Sequence, residues 1–164
     1  MSADLSLIRL SAREAVQLLE VGEVSPLELI DAALARIEEV EPQVNALPTL
    51  CPERAREKAK SLPARADDAH GWLAGLPVAI KDLMDVEGVR TTYASPIYAD
   101  HVPAKSHRMV QRLEANGGVV LAKSNTPEFG AGGSTFNEVF GKTRNPWNTS
   151  LTCGGSSGGA AVAL

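Results

Sequence analysis

An α/β fold with a parallel core follows from three features of this 164-residue sequence. Gly75-Leu76-Pro77-Val78-Ala79-Ile80-Lys81 reads as an apolar strand; Met109, Val110 and Leu113 put an apolar face on a helix capped by Ser106; Val119-Val120-Leu121-Ala122 reads as a second strand. Strand, helix and strand in that order imply a βαβ unit, whose crossover joins parallel strands. The second strand is too short and too apolar for a sheet edge, so it belongs in the interior.

The chain opens with helices. Ser11-Ala12-Arg13-Glu14 and Ser25-Pro26-Leu27-Glu28 both have the form of a capping box, the second with proline at the first helical position, where a missing N–H costs nothing. Gly22 is placed to end the first helix, and Leu27, Ile30, Leu34 and Ile37 form an apolar stripe on the second, which is expected to stop at Pro42. Residues 52–60 suggest a third helix whose alternating charges mark a solvated face. Between Ser61 and Gly75 the composition shifts to Pro, Asp, Ala and Gly, a connector. Gly88-Val89-Arg90-Thr91-Thr92 reads as a turn with an exposed strand or loop, and Asn116-Gly117-Gly118 stops the crossover helix. Gly159-Ala160-Ala161-Val162-Ala163-Leu164 is expected to begin a helix buried against the sheet.

Composition narrows the function classes. A net charge of −4, with 16 basic and 20 acidic residues interspersed, offers neither nucleic acid nor a membrane surface a basic patch. Cys51 and Cys153 lie far apart with no histidine cluster, so neither a disulfide framework nor a zinc site is indicated, and a reducing, cytoplasmic setting fits. His70, His101 and His107 have no metal-ligand spacing and read as surface histidines. The first thirty residues hold Asp4, Glu14, Glu20, Glu23 and Glu28 and no long apolar run, which argues against a signal peptide.

Chemistry concentrates in two places. In Cys153-Gly154-Gly155-Ser156-Ser157-Gly158-Gly159-Ala160-Ala161, glycines allow close approach and strip away side chains that would shield the hydroxyls. Lys81 and Asp82 stand at the C-terminal end of an apolar strand, where sites gather in α/β sheets. Two readings of the glycine loop are open on its residues alone. Gly154-Gly155-Ser156-Ser157-Gly158 matches a nucleophile elbow in which Ser156 itself attacks, as in a serine esterase. A non-enzymatic phosphate-binding loop opening a helix is the other, although no lysine follows the glycines.

With Lys123-Ser124-Asn125-Thr126-Pro127-Glu128-Phe129-Gly130, running on through Phe140-Gly141-Lys142-Thr143-Arg144-Asn145-Pro146-Trp147-Asn148, these motifs in their order resemble the amidase signature family. The resemblance implies a mixed β-sheet core covered by helices on both sides, of which residues 1–164 are the N-terminal portion of a single domain: a helical opening over 1–60, then a sheet and catalytic-loop region over 75–164. It further implies hydrolysis of a small amide through an acyl-enzyme by a triad of a serine nucleophile, a serine preceded by a cis peptide, and a lysine. Residue by residue, Lys81 matches the lysine and Ser156 the cis serine; Asp82, Gly154, Gly155 and Ser157 match the supporting loop. Gly130, Ala131, Gly132 and Gly133, after Phe129, match a loop that lines the acyl pocket, while Arg144 ties the following loop down and Trp147 anchors it by packing.

The family's nucleophile lies in a later Asp-x-Gly-Gly-Ser type of turn, which these residues do not include. The isolated stretch is therefore expected to be inert, and to associate with itself or other chains through exposed core surface. No metal or organic cofactor is implied, and the partner is a small-molecule amide. Thr126 and Pro127 look more like the general amidases than the A subunits of tRNA-dependent amidotransferases, where a methionine and an acid usually stand.

Overall fold

The computed structural model describes residues 6–62 and 71–164. Residues 63–70 of the expected connector, His70 among them, lie outside the described residues, as does Asp4. By contacts the chain divides into two compact units, one of Met1–Glu39, Cys51–Val78 and Gln111–Leu121, the other of Val40–Leu50, Ala79–Val110 and Ala122–Leu164. The site residues of the glycine loop and the Lys81 motif all belong to the second.

Both capping boxes form. Helix α1 (Ala12–Val21) starts on Ser11, whose hydroxyl accepts from the Glu14 N–H while the Glu14 carboxylate accepts from the Ser11 N–H, and it ends on Gly22 at φ 75°. Helix α2 (Pro26–Val44) repeats the reciprocal pair with Ser25 and Glu28. It buries Leu29, Ile30, Ala32 and Ile37; Leu27 and Leu34 of the expected stripe are only half-buried.

Pro42 does not end α2. A proline so near a C-terminus forfeits one N–H bond while its own φ stays helical, and the helix completes its turn. The stop comes at Asn45, at φ 52°, a left-handed conformation that asparagine tolerates. Its side-chain amide donates to the carbonyls of Phe140 and Lys142.

Helix α3 (Pro52–Lys60) buries Ala55. Its charges are less solvated than their alternation suggests, because Arg54 pairs with Glu114 at 2.7 Å and Arg56 with Asp31 at 2.8 Å. Strands β1 (Thr49–Leu50), β2 (Pro77–Lys81) and β3 (Val119–Ser124) form one sheet in the order β1-β3-β2. β1 pairs with β3 antiparallel. Val119 donates to Leu76 and Asp82 to Ser124, so β2 and β3 ascend together and the sheet is mixed, with all six residues of the interior strand β3 buried.

The crossover helix α4 (Arg108–Ala115) starts one residue later than a Ser106 cap would place it. The Met109 N–H donates to His107 Nδ1, and Ser106 Oγ accepts from the Glu87 N–H. His107 thus serves the helix start. Val110 is fully buried, but Met109 is 47% exposed and lies off the expected face.

The segment after β2 also departs from expectation, since Val89, Thr91 and Thr92 are buried. Gly88 makes a left-handed turn that lets Val89 bridge back to Val86. Hydroxyls that satisfy neighbouring polar groups can be buried at little cost, which sequence alternation does not reveal. A two-stranded ribbon of β4 (Phe136–Asn137) and β5 (Gly141–Lys142) precedes the glycine loop, and α5 (Gly158–Ala163) follows it. Gly158 and Gly159 are buried at the start of α5, whereas Ala161 and Leu164 are exposed among the described residues.

Candidate active site

Lys81 is the last residue of β2, so its side chain leaves the sheet at the strand's C-terminal end. Its ammonium donates to Ser156 Oγ at 2.9 Å and to Ser157 Oγ at 2.8 Å. Burial pushes the Lys81 amine below its ordinary value, because a half-buried ammonium gives up hydration. The Gly155-Ser156 peptide is cis.

Beyond the Lys81 ammonium, the serine loop is held by backbone and hydroxyl contacts. Thr126 Oγ1 donates to the Ser156 carbonyl at 3.0 Å. Thr135 Oγ1 donates to the Gly154 carbonyl and accepts from the Gly158 N–H, clamping both ends of the turn. Gly154 takes φ 78°. At Gly159 close approach explains the residue, since an added Cβ would press on the backbone of Asn125 and the Ala46 carbonyl.

Asn125 supports the same corner from beneath. Fully buried, it donates from Nδ2 to Thr143 Oγ1 and accepts at Oδ1 from Asn137 Nδ2, which also reaches the Thr126 carbonyl. Asn137 and Thr135 carry no motif that marks them in the sequence, and Thr143 stands in a motif that assigned it no role. Their signal is position alone, polar residues on short segments between glycines, and that is shared by ordinary turns.

Asp82, matched to the supporting loop, lies in the interior. It is 1% exposed and pairs with Lys123 of β3 at 3.0 Å. Lys123, wholly buried, is a second lysine that the sequence pattern does not assign to the site. Tyr93 lies over the same segment, its hydroxyl donating to Asp85 at 2.6 Å, and that bond first of all pushes the phenol up to about 12.

Of the expected acyl-pocket loop, Ala131, Gly132 and Gly133 line an open cleft of about 660 Å³ with Ser134, Phe136 and Asn137. Gly130 is turned away at φ 73°, against Leu83. The backbone of Gly133 and Ser134 lies where a Cβ on Gly155 would stand, at 3.1–3.2 Å, which brings this loop to the peptide preceding Ser156. Phe129 is half-exposed and meets the Tyr98 ring edge-on at 6.2 Å. His101, read as a surface histidine, is half-buried and stacks on Tyr93 at 6.0 Å.

Arg144 ties its loop as expected, Nη1 donating to the Thr149 carbonyl and the backbone bridging to Thr152. Trp147 is not a packing anchor: it is 94% exposed, because the Asn145 side chain caps the turn through the Trp147 and Asn148 N–H groups and leaves the indole outside. Among the described residues no group of three or more His, Cys, Asp or Glu is placed to hold a metal ion, and no helix is long and apolar enough to cross a membrane.

Comparison with known proteins places these features among relatives. The family model described as Amidase matches residues 28–164. The chain is 46% identical over 157 residues to the A-type subunit of a glutamyl-tRNA(Gln) amidotransferase from Roseiflexus sp. (strain RS-1), covering 95% of this chain and 32% of that protein. Among solved structures it resembles a 6-aminohexanoate cyclic dimer hydrolase complexed with substrate, with a TM-score of 0.85 and 34% identity, covering 95% of this chain and 32% of the other. A bacterial aryl acylamidase belonging to the amidase signature enzymes family matches with a TM-score of 0.81 and 33% identity, over 93% of this chain and 32% of the other. The chain thus spans about a third of the length of the curated relatives it matches.

Proposed function

The chain belongs to the amidase signature family, and from that premise we propose that the protein containing it hydrolyses an amide C–N bond through an acyl-enzyme, with Lys81 as base and Ser156 as relay. The observation that supports this reading most is the lysine amine, lowered by burial, 2.9 Å from the hydroxyl of Ser156. In this scheme neutral Lys81 withdraws the Ser156 proton as Ser156 withdraws that of a nucleophilic serine supplied by a later glycine-rich turn. The nucleophile attacks the carbonyl, the relay returns the proton to the departing amine, and water then releases the acid. Residues 1–164 act here as the N-terminal portion of one amidase domain, and a polypeptide of these residues alone is expected to leave amides intact.

Ala131, Gly132 and Gly133, which line the cleft beside the serine loop, contribute to the acyl pocket in this reading. The small-molecule substrate, the absence of a cofactor and a cytoplasmic setting belong to the same proposal. A second reading, as part of a glutamyl-tRNA(Gln) amidotransferase, is favoured by the 46% identity to a component of such an enzyme, against which Thr126 and Pro127 stand as sequence differences. The two separate on one measurement in the longer protein: turnover of simple amides without other subunits supports the first, and glutamine hydrolysis only in a multi-subunit complex supports the second.

A pH profile tests the base. Only neutral Lys81 accepts a proton, so kcat/KM should fall as pH drops through its lowered pKa and level off above it. A flat profile across the acid range in the longer protein would show that no such base operates.

A further inference from the structure

We propose that Asp82 and Lys123 form a positioning pair for Lys81, Asp82 fixing the backbone on which Lys81 stands and Lys123 cancelling the negative charge that would otherwise lie beside the base. The inference rests on Lys81 being that base. Asp82 is the next residue after Lys81, and its N–H donates to Ser124 at the end of β3. Asp82 Oδ2 accepts from the Thr92 N–H at 3.0 Å and its hydroxyl at 2.6 Å, and Oδ1 lies 3.0 Å from Lys123 Nζ. Lys123 also donates to the Met84 carbonyl at 2.9 Å and to Thr91 Oγ1 at 2.7 Å. One carboxylate and one ammonium therefore tie together the residues immediately after Lys81, the buried Thr91-Thr92 segment and the interior strand.

Stability alone gives little reason for such a pair. Replacing a buried ion pair by apolar residues of similar volume is often neutral or stabilising, whereas removing one partner leaves a buried charge uncompensated. The location supplies the reason. A buried carboxylate is screened far less than a surface one, and without Lys123 it would favour the charged form of the neighbouring lysine, which cannot accept a proton. Asp82 keeps its two hydrogen bonds from Thr92 in that case.

Titratable groups of the segments that follow Lys81 have partners of their own, and Tyr93 alone among them senses Asp82 directly, as the last of the causes that raise it. Asp85 is engaged by the Tyr93 hydroxyl, Tyr93 stays neutral with its pKa pushed up to about 12, and Glu128 accepts from Ser95 Oγ. The glycine loop brings the hydroxyls of Ser156 and Ser157 to Lys81.

The test is the acid limb of kcat/KM in the longer protein. Lys123→Met should move it to higher pH by about one unit, Asp82→Asn should move it lower, and the double variant should return it near the parent position. Lys123→Arg, which keeps the charge, should leave it in place. A purely structural pair would lower activity in both single variants without opposite shifts, and that result, or a shift retained in the double variant, would overturn the proposal. If Lys123→Met does not fold, the Asp82→Asn and double variants decide by the same rule. Lys81→Ala separates the premise: if that variant keeps parental activity the base assignment fails, whereas an inactive Lys81→Ala beside unmoved acid limbs rejects the pair alone.

Discussion

Replacing Lys81 with alanine should lower kcat/KM for amide hydrolysis by the longer protein about 10³-fold, the range for losing a positioned general base. Among the described residues the Lys81 amine is the only side-chain nitrogen on the Ser156 hydroxyl, so no other described side chain can take its proton. Ser156→Ala should cost about as much, because it interrupts the relay between base and nucleophile. Ser157→Ala should be milder, although Lys81 touches both serines at nearly equal distance, because the loop is held mainly by Thr126 and Thr135. All three variants should unfold within a few degrees of the parent. Near-parental turnover by Lys81→Ala at neutral pH would remove the lysine from the mechanism.

Gly159→Ala should destabilise the protein by about 1–3 kcal/mol, the usual cost of overpacking, and should impair catalysis as well. Its added methyl would meet the Asn125 N–H, the Asn125 carbonyl at 2.7 Å and the Ala46 carbonyl at 2.5 Å. None of these can rotate aside, since Asn125 N donates to the Ala46 carbonyl and Gly159 N to the Asn125 carbonyl. Relief requires moving the start of α5, and Ser156 with it. Gly133→Ala is the control, because a Cβ there meets nothing within 4 Å. Chemical denaturation should show a lowered midpoint for Gly159→Ala and none for Gly133→Ala; equal stability of the two would show that the corner yields.

Much of the fold was legible locally. Ser11 with Glu14 and Ser25 with Glu28 form their boxes because each bond joins residues three apart, within reach before any tertiary contact exists. Hydrophobic runs located β2 and β3 for the same reason, and the order of motifs pointed to Lys81 and Ser156, which the fold brings to 2.9 Å. The expected stop at Pro42 failed because a local rule about proline competes with packing that carries the helix to Val44. Trp147 failed in the opposite sense: an aromatic residue is a strong prior for burial, but its neighbours' hydrogen bonds turned it outward.

Short-range pattern and motif thus carried the main elements, the family and the two residues of the proposed relay. The partner of Asp82 belongs to a different level, because it depends on which strands lie side by side. Along the chain the carboxylate has Lys81 beside it, but the two side chains take different partners, the serines of the glycine loop for Lys81 and Thr92 with Lys123 for Asp82. Parallel pairing of β2 with β3 instead delivers Lys123, a residue whose position in an apolar strand gave no sign that it would be the buried counter-charge.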